Sequence, residues 1–131
     1  MKWLAILFTL FILLVIVLAD AGILAHYVGF IYDFPYGDKA GHFLLYGILT
    51  LLVDLALFRS FPAAGPIHFA LKCGLVLALL IGLEEYSQQY FSSRTFDLVD
   101  LTFSYLGVLF FSMVAVKTKR RQVEYLPPST L

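Results

Sequence analysis

Four apolar stretches, each near the length that crosses a bilayer, govern what this chain can fold into. The first runs from Trp3 to Ala19, and its helix can continue past Asp20 toward Tyr32; the second runs from Ala40 to Phe58. Leu71 to Leu83 forms the heart of the third, which reaches spanning length when Ile67 to Lys72 and Glu84 to Tyr90 extend the same helix. The fourth, Leu98 to Val116, carries Asp97 and Asp100 at its start and Lys117 at its end. Hydrocarbon offers no partner to a backbone N–H or C=O, so only helices and closed barrels cross it. The alternation of a barrel strand is absent, which leaves helices. The expected fold is an all-α membrane protein with four transmembrane helices.

Composition agrees: 61% of the 131 residues are hydrophobic and 14% charged, with a mean hydropathy of +0.90. Such a chain lies well outside the soluble range. Residues 1–121 are expected to form one membrane domain and 122–131, with Pro127 and Pro128, a short disordered tail. Short connections fall at Asp33 to Gly37, Ser60 to Pro66 and Phe91 to Phe96. The formal net charge is zero and the basic residues form no aromatic-interleaved patch, which argues against nucleic-acid binding. Cys73 is the only cysteine, so no intrachain disulfide can form, and it reads as a small packing residue.

Lys2, Arg59, Lys72, Lys117, Lys119, Arg120 and Arg121 lie at one set of helix ends and only Lys39 and Arg94 at the other. Cytoplasmic ends retain Lys and Arg, so both termini are expected in the cytoplasm of a multi-pass cell-membrane protein. Ala19-Asp20-Ala21 has the small-x-small form of a signal-peptide cleavage site. The apolar run before it exceeds a usual h-region of about 7 to 15 residues, and another membrane segment follows, which favours a retained span.

Two polar groups interrupt the apolar sequence, and this topology puts both on the extracytoplasmic side. Ionisable groups at membrane depth cost on the order of 2.5 to 3.5 kcal/mol each on insertion scales, so they persist where they pair or act. Asp38, His42 and Tyr46 stack on one helical face beside Lys39. Glu84 and Glu85 each lie about a turn from Gln88, so one of the two acids can face inward with it. Asp97, Asp100, Ser104 and Gly107 form a stripe at spacings of three and four, with Thr95 or Asp97 able to cap the helix. Arg94 is the natural partner of Asp97 and Asp100, or of an anionic ligand. Lys39, Tyr46, Glu85, Gln88, Arg94, Asp97, Asp100 and Ser104 are therefore the candidate ligand-binding residues, with His42, Asp38 and Asp100 as candidate acid–base groups.

The series Asp38-Lys39, His42-Phe43, Tyr46, Glu85-x-x-Gln88, Arg94-x-x-Asp97-x-x-Asp100 and Gly107 resembles the VanZ-like membrane proteins over residues 38 to 107. That family usually has asparagine where Ser104 stands, often a Pro-Gly pair at Ser92 and Ser93, and often a small residue at Phe111. The resemblance implies a small envelope protein related to accessory factors of glycopeptide tolerance.

The first reading of the site is an outward polar pocket that binds an amphiphile, a lipid-linked cell-wall precursor or a partner membrane protein. Tyr32, Phe34, Tyr36, Tyr86, Tyr90 and Phe91 could line its rim, and an interfacial aromatic belt accounts for them equally. The second is an intramembrane enzyme on a phosphate-bearing lipid, with His42 and Asp38 as acid and base. A metal held by Asp38, His42, Glu85 and Asp100 is chemically conceivable, but Lys39 and Arg94 oppose it, and neither metal nor cofactor is expected. Asp20 and Asp54 raise a proton relay or transporter, which four short spans without an inverted repeat serve poorly. Asp54, five residues before Arg59, is expected to form a local ion pair or to snorkel.

Overall fold

The computed structural model describes residues 2–24, 26–27, 37–62, 65–91 and 96–124. Four helices in it are long and apolar enough to cross a membrane: α1 (Lys2–Asp20), α2 (Gly37–Ser60), α3 (Pro66–Ser87) and α4 (Leu98–Glu124). No strand occurs among the described residues.

Local chemistry sets the helix ends. Gly22 adopts a φ of 78°, a left-handed conformation that glycine takes without a Cβ penalty, and it interrupts the expected continuation of α1. Ile23, Leu24, His26 and Tyr27 are helical again beyond it. At the start of α3, Pro66 occupies the first turn, where its missing N–H costs no helical bond. At the other end a 3₁₀ turn over Gln88–Tyr90 tightens the chain and carries the third span to Tyr90, as its sequence required. The fourth helix outruns its apolar stretch. It continues from Val116 through Lys117, Lys119, Arg120 and Arg121 to Glu124, beyond the expected boundary at residue 121.

The heart of the molecule is the pairing of α2 with α4. Apolar burial does not drive helices together in lipid, so close backbone approach and polar bonds must do it. Gly107 packs on the Phe43 carbonyl and Gly47 on the Phe111 ring, and a Cβ at either glycine would collide with its neighbour. The Phe43 ring lies tilted against Phe110 and Phe111 at centroid distances of 6.0 and 5.9 Å, filling the flanks of this crossing. The Phe111 ring thus takes the space that Gly47 leaves, a contact that a small residue at 111 would not make. Against this pair, Ile12 of α1 and Ile81 of α3 join Tyr46, Leu49 and Val108 in the main apolar core. A second core of Phe58, Ala70 and Ala115 lies toward the other end of α2. α1 packs chiefly on α2 and, like α3, leaves most of its apolar side chains exposed, as a hydrocarbon solvent allows.

Candidate functional site

The N-terminal turns of α2 and α4 meet at one end of the molecule, next to the C-terminal turn of α3. Asp97 caps α4: its Oδ1 accepts the Val99 N–H at 2.8 Å. One turn further along, Asp100 is 7% exposed, and an ionised carboxylate so placed needs a partner. Lys39 of α2 supplies it. Its Nζ lies 3.2 Å from Asp100 Oδ1, 3.5 Å from Asp38 Oδ2 and 3.7 Å from Asp97 Oδ2, so one ammonium gathers three aspartates.

His42, one turn below Lys39, faces the other oxygen of Asp100, with Nε2 3.8 Å from Oδ2. Its Nδ1 meets Ser104 Oγ at 3.2 Å. The Ser104 hydroxyl also lies 3.0 Å from the Asp100 carbonyl, to which it can donate, so it bridges the imidazole and the α4 backbone. Asp38, on the same helical face of α2, pairs with Lys39, while the aspartate and the hydroxyl described beside the imidazole come from α4.

The second half of the network hangs on Gln88. Its amide nitrogen donates to Glu84 Oε1 at 3.1 Å and to Glu85 Oε2 at 3.1 Å. Glu84 is therefore a member of the cluster together with Glu85, although the sequence admitted only one of the two acids. Both are within one turn of Gln88, and the 3₁₀ geometry at Gln88 brings its amide between them. The Tyr46 hydroxyl donates to Glu84 Oε2 at 3.0 Å, tying α2 to α3. Glu85 Oε1 accepts the Asp97 N–H at 3.2 Å, tying α3 to the cap of α4. Glu85 is 1% and Gln88 2% exposed, so these bonds stand where water competes little.

The structure thus joins Asp38, Lys39, His42, Tyr46, Glu85, Gln88, Asp97, Asp100 and Ser104 into one network over three helices, with Glu84 added. Arg94, Ser92, Ser93 and Thr95 lie outside the described residues, as do Tyr32, Phe34, Tyr36 and residues 125–131 of the expected tail. Among the described residues no group of three or more His, Cys, Asp or Glu side chains is arranged to hold a metal ion.

Asp54 departs from its expectation. It is wholly buried and turned away from the exposed Arg59, accepting from Ser112 Oγ at 3.2 Å on Oδ2 with the Cys73 thiol alongside. Its Oδ1 has no hydrogen-bond partner among the described residues. Cys73 is accordingly more than a packing residue, because its thiol touches this carboxyl.

Together these features define a class: a small all-helical protein, built as a multi-pass membrane protein is, with a charged network at one end of three helices. No family model, curated protein or solved structure matches the chain.

Proposed function

We propose that the chain is a VanZ-like integral membrane protein whose polar network faces the extracytoplasmic side and binds an amphiphilic or lipid-linked envelope component. The observation that carries this reading is the gathering of three aspartates by Lys39, beside the Glu84–Gln88–Glu85 set, at one end of the bundle. Two cation–carboxylate pairs would suffice to pin the helices. The excess of carboxylates over Lys39 suits the amine of a zwitterionic or amine-bearing head group, and Lys39 with Arg94 suits its phosphate. The skew of basic residues toward the opposite helix ends supports the outward orientation and cytoplasmic termini. The VanZ-like series from Asp38 to Gly107 connects such a pocket with glycopeptide tolerance.

Native mass spectrometry tests this after incubation with membrane lipids and lipid-linked cell-wall precursors. The parent should retain an unmodified adduct that Lys39→Gln and Arg94→Ala each lose; equal retention by all three proteins would refute the reading.

A second reading rests on His42, which sits between the Asp100 carboxylate and the Ser104 hydroxyl. That arrangement serves proton transfer in an intramembrane enzyme acting on a phosphate-bearing lipid. On this reading Ser104, fully buried and hydrogen-bonded to the Asp100 carbonyl, positions the ring. On this reading the same experiment gives a mass-shifted lipid with the parent and none with His42→Ala.

A further inference from the structure

At the end of the bundle away from the Lys39 network, side chains of α3 and α4 line a groove of about 480 Å³. Its α3 wall is kept low by Ala70, Gly74 and Ala78, four residues apart and on one face. Tyr105 closes the upper end by donating its hydroxyl across the gap to the Ala78 carbonyl at 3.0 Å. At the lower end stand Lys117 and Arg120, one turn apart on α4 and both exposed. Neither has a carboxylate within ion-pair distance among the described residues. A second hollow of about 440 Å³ adjoins there, sharing Arg120 and bordered by His68 and Lys119.

We propose that this groove holds one acyl chain of an anionic phospholipid from the surrounding bilayer, with its phosphate bound at Lys117 and Arg120 and its head group in the adjoining hollow. Length supports a chain: Tyr105 to Lys117 spans about 18 Å of helix, close to the roughly 15 Å depth of one leaflet. Charge supports the head group. The apolar walls end in two exposed cations with no ion pair among the described residues, the kind of basic pocket between membrane helices that selects anionic lipids. This site is at the opposite end of α4 from Asp100 and does not depend on what the outward network binds.

The test is native mass spectrometry of the full chain released from phosphatidylcholine bilayers doped with phosphatidylglycerol. The parent should retain one phosphatidylglycerol in preference to phosphatidylcholine. Retention should fall about tenfold or more in the double variant Lys117→Gln with Arg120→Gln, whose side chains are exposed. Gly74→Leu, which pushes a side chain into the groove, should lower it comparably. Equal retention of both lipids, or phosphatidylglycerol retention untouched by either variant, would overturn the proposal. So would a lipid-free dimer, which would make a second copy of the chain the occupant.

Discussion

Gln88 shows how one side chain can organise a site: its amide holds two adjacent glutamates that would otherwise repel at membrane depth. Gln88→Leu removes those donors, and hydrogen bonds to charged acceptors contribute about 1.5 to 3 kcal/mol each, so a loss of about 2 kcal/mol is expected. Thermal unfolding in detergent reads it; an unchanged melting temperature would show that the glutamates do not depend on Gln88. Lys39 and Asp100 should be coupled in the same sense. Lys39→Gln removes the ammonium that three aspartates share, and adding Asp100→Asn should recover about 1 kcal/mol, the mark of interacting sites in a double-mutant cycle. Strict additivity would contradict the pairing. Asp54 predicts the reverse sign. Its Oδ1 has no hydrogen-bond partner among the described residues, and an amide of the same shape cannot ionise in this wholly buried place, so Asp54→Asn should match or exceed the parent's melting temperature, and a large loss would mean that the carboxyl itself is needed.

At the scale of elements, the spans and polar stripes were legible because helical periodicity and bilayer length constrain them directly. Asp97, Asp100, Ser104 and Gly107 fall on the α4 face that meets α2, and the third span needed the Glu84 to Tyr90 extension that it has. What spacing could not supply was the partner across helices. His42 lies one turn from Asp38 in sequence, but Asp100 and Ser104 reach it from α4 because Gly107 lets the two backbones approach. Asp54 looked local to Arg59 for the same reason, since nothing in its own helix announces Ser112 and Cys73. The glycine crossing makes its own prediction. Gly107→Leu should force α2 from α4, cost about 1 to 3 kcal/mol or more, and loosen the Lys39 network with it. Resistance to detergent unfolding equal to the parent's would mean that the helices do not cross there.

Across the whole molecule, the proposed topology of four spans has both termini in the cytoplasm, on the side of the basic helix ends. Single cysteines introduced at Lys2 and Gln122 into a Cys73→Ser background should both resist an impermeant thiol reagent in intact cells and react after lysis. Labelling of either before lysis would invert or break the topology. The two ends of the bundle differ in charge: a carboxylate-rich network at one, a cation-lined groove at the other. The proposed function has the Lys39 network holding an amphiphile, and photocrosslinking tests this most directly. A diazirine-bearing lipid or lipid-linked precursor, irradiated with the protein in bilayers and mapped by peptide mass spectrometry, should mark residues 38–46 and 84–104, and Lys39→Gln should suppress the marking. Crosslinks scattered along the exposed apolar faces of α1 and α3, indifferent to Lys39, would contradict it.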